Sequence, residues 1–255
     1  MRLETFDRQE FLHRRWDYQD GEHVTAIQPT GGGKTYLLFQ LLEVTGRPAV
    51  ALVMKPRDAE PAKWTRQLGY KEVGHWPPPA KWPWQQKPPG YTLWPRQSLT
   101  DLDADEALLQ SEFSSCLGHV YQHGDQIAFA DEVQGLCELK LQKHLKALWT
   151  RGRAMHAGLW CATQKPSGDQ GGPPVPTYLY SAASHLFLGR DPTKMNRQRF
   201  SEIGGVDPHM IGDAVSNLRL HPIEGGDGRI NYVSEQLYLR KGGPMGAYMC
   251  VVMPW

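Results

Sequence analysis

The stretch His23 to Val44, "HVTAIQPTGGGKTYLLFQLLEV", constrains the fold more than any other part of the chain. A short apolar strand runs into three consecutive glycines. These lead into a segment that is apolar at helical spacing and that Gly46 can cap. Three later runs, "PAVALVM" (48–54), "QIAFADE" (126–132) and "LWCATQ" (159–164), lack the alternation of a half-exposed strand and predict buried ones. Helical patterns separate or follow them: an acidic-ended helix over 103–124, a basic helix over 139–158 with a bend near Gly152, and shorter helices over 177–184, 196–205 and 207–218. "HLFLGR" (185–190), "INYVSEQLYLRK" (230–241) and "AYMCVVMP" (247–254) predict further strands. Buried strands alternating with helices predict an α/β fold with a mainly parallel central sheet flanked by helices.

The 255 residues suit one large domain, or one domain with an insertion. Residues 1–22 read as an N-terminal segment, 23–205 as the core, and 206–255 as a helix-and-strand extension of the same domain. Residues 61–97 differ in kind. They hold eight of the 20 prolines and five of the nine tryptophans, a density of proline expected to break regular structure. This segment reads as an insertion, either a small packed subdomain or a subunit contact. Its cations and aromatic faces also suit single-stranded nucleic acid.

Formal net charge is +1, so any contact with nucleic acid must come from local patches. The four cysteines contain no C-x-x-C pair. That argues against a zinc site or a disulfide framework and fits a reducing compartment. The N-terminus is too charged for a signal peptide. No apolar run reaches the ~20 residues needed to span a bilayer. The expectation is a soluble, cytoplasmic protein without membrane contact.

Three strand ends carry the chemistry. "QPTGGGKT" (28–35) ends like a phosphate-binding loop, although Gln28 stands where the commoner pattern has glycine. Thr30, Gly31, Gly32 and Gly33 would wrap backbone N–H groups around an anion at a helix N-terminus. Lys34 would reach the β/γ-phosphates of ATP, and the Thr35 hydroxyl would ligate Mg²⁺. "IAFADE" delivers Asp131 and Glu132 to the sheet's carboxyl edge, where such sheets bind ligands. Asp131 would hold Mg²⁺ through water, and Glu132 would polarise the attacking water as general base. "WCATQKPS" places the Gln164 amide at the same edge, able to donate to a γ-phosphate oxygen and accept from water.

"PTGGGKT", "FADE" and "ATQKP", in that order, resemble the FtsK/HerA branch of P-loop motor ATPases. "RFSEIGG" (199–205) is faintly similar to a later segment of FtsK proteins, so the resemblance spans roughly 23–205. It implies a P-loop NTPase of the RecA-like, additional-strand type, with Lys34, Thr35, Asp131, Glu132 and Gln164 in the roles above. It also implies a homo-oligomeric ring, pentameric or hexameric, in which a neighbour's arginine completes each site. Arg151 and Arg153 are the first candidates, followed by Arg190 and Arg197. Lys55, Arg57 and Lys165 are candidate contacts to double-stranded DNA, gripping backbone phosphates.

The absence of a membrane segment or a DNA-reading winged helix favours a compact motor similar to a viral genome-packaging ATPase, docking on a capsid portal or vertex. The alternatives are a HerA/FtsK-like translocase of a repair, transfer or defence system, and a nucleotide-dependent switch or assembly protein with little turnover. A small-molecule kinase is disfavoured, because Glu132 beside Asp131 suits hydrolysis.

Overall fold

The computed structural model describes residues 3–57, 59–79, 86–165, 175–191, 193–200, 207–224, 230–243 and 246–255. Among these, ten strands form one sheet. In chain order they are β1 (Thr5–Phe6), β2 (Val24–Ile27), β3 (Ala49–Leu52), β4 (Lys71–Val73), β5 (Gly90–Leu93), β6 (Gln126–Ala130), β7 (Ala157–Thr163), β8 (His185–Gly189), and, after a separate hairpin of β9 (Leu220–Glu224) and β10 (Ile230–Ser234), β11 (Gln236–Arg240) and β12 (Tyr248–Val252). The spatial order is β1-β12-β11-β8-β2-β7-β6-β3-β5-β4. From β8 to β4 every pairing is parallel; β11 is antiparallel to both β8 and β12. This is the mainly parallel sheet with flanking helices that the sequence predicts.

Strand alternation supplies both faces of the sheet. In β6, Ile127 and Phe129 join one apolar cluster while Ala128 and Ala130 join the other. The first cluster packs α1 (Arg8–Arg14), α2 (Lys34–Thr45) and α3 (Ala59–Gln67), with Phe39 edge-on to Phe129 at 5.0 Å. The second packs α4 (Leu102–His123), α5 (Val133–Glu138), α6 (Gln142–Arg151), α7 (Tyr178–Ser181) and α9 (Pro208–Asn217). A further helix, α8, spans Lys194–Arg199. The Asp101 side chain caps α4 by accepting from the Ala104 N–H at 3.1 Å. Gly46 ends α2 in the left-handed conformation. All four cysteines are free and buried. No helix among the described residues is long and apolar enough to cross a membrane.

Several expectations need correction. Residues 61–97 are not broadly irregular: they contain most of α3 and strands β4 and β5, which extend the sheet beyond β3 with β4 at its edge. Pro61 falls in the first turn of α3, where an N–H has no intrahelical partner to lose. Pro77–Pro79, Pro88, Pro89 and Pro95 lie in the connections, so the strands themselves are proline-free. The basic helix expected over 139–158 begins only at Gln142, after Lys140 at φ 59°, and passes into a 3₁₀ turn over Gly152–Met155. The run 230–241 is two strands in two different sheets, divided at Glu235. Residues 1–22 contribute β1, beside β12, and α1, whose Phe11 and Leu12 are buried. Of the segment 199–205, residues 201–205 lie outside the described residues, as do 166–174 of the loop after Lys165.

Candidate active site

The site is built where the chain leaves β2, β6 and β7 at their carboxyl ends. After β2 the chain turns through Gly31 at φ 80° and Gly33 at φ 88°, a region that costs glycine nothing. Gly33 then starts α2. Gln28, the departure from the commoner loop, is 2% exposed and runs beneath the glycines. Its Nε2 donates to the Gly32 carbonyl, and its Oε1 accepts from Gln236 Nε2 at 2.9 Å. Gln236 Oε1 accepts in turn from Arg8 Nη2 at 3.3 Å. A Cβ on Gly32 or Gly189 would fall inside the Gln28 side chain. A side chain therefore forms the floor of the loop. Sequence reading saw Gln28 only as a weaker match, because its partner Gln236 lies far along the chain.

The strand order places β7 between the loop strand β2 and the carboxylate strand β6. Gln164, at the end of β7, is thereby set between loop and carboxylates. Thr30 Oγ1 donates to Gln164 Oε1 at 2.8 Å, and the Gln164 side chain lies close enough to Glu132 to lower its pKa. Thr35 Oγ1 donates to Asp131 Oδ1 at 2.7 Å. This hydroxyl and carboxylate are an all-oxygen donor pair of the kind a hard divalent cation takes. Among the described residues no cluster of three or more His, Cys, Asp or Glu forms a metal centre, so a cation here would share its ligands with phosphate and water.

Burial lowers the pKa of the Lys34 ammonium, opposed by the charges of Asp131 and Glu132, while Lys55 lowers it further. Burial raises the pKa of Glu132 above its ordinary value of 4.5; the Lys34 charge, the Gln134 N–H and the Gln164 side chain offset this in part, and Asp131 adds to it. Glu132 Oε1 is buried with no hydrogen-bond partner. A raised carboxyl with an open acceptor suits a general base that takes a proton from water.

Lys55, Glu132, Gln134, Thr163, Gln164 and Lys165 line an open cleft of about 390 Å³. Two of the three candidate DNA contacts, Lys55 and Lys165, therefore border the carboxylates, while Arg57 is exposed in the turn after β3. Gln134 was missed by sequence reading because α5, which carries it, was not anticipated.

Arg151 and Arg153 lie at the other end of the sheet, before β7 begins, roughly 20 Å from Gln164 along that strand. The Arg153 guanidinium is 3.9 Å from Glu22 and its side chain is 70% exposed. The Arg151 guanidinium stands 5.4 Å over the Tyr121 ring. Neither reaches the site of its own chain. Arg190 and Arg197 sit nearer the loop edge, after β8, with Arg197 Nη1 donating to the Asp191 carbonyl at 2.9 Å.

No family model matches the chain, and no curated protein matches it. Solved structures do. The genome packaging NTPase B204 from Sulfolobus turreted icosahedral virus 2, in complex with sulfate, superposes with a TM-score of 0.58 at 11% identity, covering 93% of this chain and 98% of that one. The same protein with AMPPCP gives a TM-score of 0.57 at 11% identity, over 93% of this chain and 100% of that one. B204, the DNA-packaging ATPase from Sulfolobus Turreted Icosahedral Virus, gives 0.51 at 14% identity, over 85% and 98%. The chain shares the fold of these proteins over 85–93% of its length.

Proposed function

We propose that this protein is an ATP-hydrolysing motor that moves double-stranded DNA in the packaging of a viral genome. The observation that carries the reading is the bridge made by Gln164, from Thr30 on the phosphate loop toward the Glu132 carboxylate. An amide in that position meets the γ-phosphate on one side and the attacking water on the other, so it couples the presence of the phosphate to the state of the base. Lys34 and the N–H groups of Gly31 to Thr35 hold the phosphates. Thr35 and Asp131 would hold Mg²⁺, which neutralises charge on the phosphate oxygens. Glu132 takes the proton from water as it attacks the γ-phosphorus, and the bond to the bridging oxygen breaks. The shared fold with viral packaging NTPases supports the choice of cargo.

In this reading the active form is a ring of identical subunits, pentameric or hexameric, docked on a capsid portal or vertex in the host cytoplasm. Arg153 or Arg151, too far from its own site to act there, serves the neighbour's. Lys55, Arg57 and Lys165 grip phosphates, and a ring multiplies a few cations per subunit into a circle of charge despite the near-neutral chain. The test is ATP turnover with and without double-stranded DNA of unrelated sequences. We expect a several-fold rise that collapses with added salt and is reduced in Arg57→Ala while basal turnover persists. Turnover indifferent to DNA at low salt, with rings confirmed, would replace the motor by a nucleotide switch or scaffold.

A further inference from the structure

A second open cleft, of about 500 Å³, meets the phosphate loop on the side away from Glu132 and Gln164. Gly31, Gly33, Lys34 and Thr35 form its floor. Tyr36 and Trp64 make one wall, and Ile223, Val233, Pro254 and Trp255 the other. It is built from five separate segments, Arg8 of α1 included. Trp64 stacks on Phe39 and tilts against Tyr36 at 5.0 Å. The β9–β10 hairpin leans onto the loop closely enough that a Cβ on Gly33 would meet Val233 Cγ1 at 2.8 Å. The carbonyl of Trp255 accepts from the Arg8 N–H at 3.1 Å, and its ring packs edge-on to His221 at 5.1 Å, leaving Trp255 53% exposed.

The charges in the cleft are graded. Lys34 lies at the loop. Arg8, which also lines the wall, is committed to Met253 O, Gln40 Oε1 and Gln236 Oε1 at 3.1, 3.0 and 3.3 Å. Glu60 is on the α3 side, held by Trp64 Nε1 at 3.3 Å, and would repel a phosphate. An elongated anion lying along the loop must put its charged end at Lys34 and its uncharged end among the aromatic rings.

We propose that this cleft is the nucleoside subsite, with Trp255 as the side chain that covers the base. The proposal rests on the nucleotide reading above and adds what it lacks: which residues hold the part of the substrate that is not phosphate. The walls are mostly aromatic and aliphatic, Arg8 is committed to Met253, Gln40 and Gln236, and Glu60 is the one carboxylate among the described lining residues, so the base is held mainly by its face. Adenine and guanine nucleotides should therefore bind with affinities within about tenfold of each other, because few groups can read the base edge.

The experiment is calorimetric binding of ATP, GTP and inorganic triphosphate, each with Mg²⁺, to the full chain and to Trp255→Ala, Trp255→Phe and Lys34→Ala. Stacking of a base is worth about 1–3 kcal/mol, so Trp255→Ala should weaken ATP and GTP by at least about fivefold. It should leave inorganic triphosphate within twofold, and Trp255→Phe should restore most of the loss. Lys34→Ala should weaken all three. Wild-type protein that binds none of the three removes the nucleotide reading itself. Wild-type binding of all three, with Trp255→Ala folded by circular dichroism and either unchanged for ATP or equally weakened for triphosphate, overturns the nucleoside subsite alone.

Discussion

The two edges of the parallel sheet, where its strands begin and end, carry opposite kinds of charge cluster. Before β2, Glu22 is 1% exposed and saturated: His185 Nε2 donates to it at 2.8 Å, the Gln19 N–H at 3.0 Å and Arg240 Nη2 at 3.0 Å. Burial alone would raise its pKa, but these hydrogen bonds and the Arg240 charge outweigh that and hold it at about 2. Burial lowers the pKa of His185, so the imidazole is neutral; its Nδ1 accepts from the Tyr238 hydroxyl at 2.8 Å. At the opposite, carboxyl edge of the sheet, Glu132 after β6 keeps one oxygen without any hydrogen-bond partner, and burial pushes its pKa up, offset only in part by Lys34, the Gln134 N–H and Gln164. In the first cluster both Glu22 oxygens are occupied within the chain, tying the segment before β2 to β8 and β11. In the second, Glu132 Oε1 stays open. Burial of a carboxylate does not by itself make a candidate catalytic group; at Glu132 it is joined by an unfilled acceptor and a buried lysine nearby.

Mutations should separate the two clusters, and the largest effect belongs to the open one. Glu132→Gln should lower kcat by about 10²–10⁴-fold while nucleotide stays bound, since the amide keeps the shape and loses the base. Thermal stability at pH 7 should not fall, because a costly buried carboxyl has been removed. Loss of nucleotide binding would instead make Glu132 a structural or metal-binding group. The pH profile of wild-type kcat should show an acidic limb centred above 4.5, following the raised Glu132 pKa.

In the closed cluster, Arg240→Ala should destabilise the fold by about 3–5 kcal/mol in urea titration, because it strands the buried Glu22 charge. Turnover per folded molecule should stay near wild type at low temperature. A variant that melts normally but fails to hydrolyse ATP would erase the distinction between the clusters.

Gln28→Ala tests the link between them. It opens the floor of the loop and leaves the Gly32 carbonyl without its side-chain donor, a loss of about 1–3 kcal/mol. We expect a weaker Kd for nucleotide by about tenfold, with a modest drop in stability. An unchanged Kd would make the side chain mere filler.

The smallest effect is a titration. Burial holds His23 near pKa 4, against 6.5 ordinarily, with its Nδ1 accepting from the Leu159 N–H at 3.1 Å. The unfolded chain takes up this proton first, so stability should be complete above pH 6.5 and fall as pH drops toward 4. Glu22 adds its own loss below about pH 4.5, as pH falls toward its folded value near 2. His23→Gln, which keeps an acceptor and does not titrate, should flatten the upper part of that curve in chemical denaturation across pH.

The parallel core was legible because its strands bury both faces and so read as unbroken apolar runs; "AVAL" and "QIAFA" could hardly be anything else. The loop, the carboxylates and Gln164 were legible because each immediately follows such a run. The strands β4 and β5 were hidden among prolines, since three or four residues carry too little periodicity to outweigh their surroundings. The wall of the second cleft was hidden for another reason. Trp64, Val233 and Trp255 come from distant segments, and no local pattern says that they face one another.

The floor of the phosphate loop also bears on how the molecule is made. Gln28 leans on Gln236 across 208 positions, and Arg8 reaches Met253 across 245. Contacts of such separation form late, because loop-closure entropy must be met before they return anything. During synthesis the glycine loop and α2 emerge early, yet the loop acquires its support only when β11 and β12 have left the ribosome and closed the sheet. A partly made chain that still lacks β11 therefore lacks the support of its glycine loop.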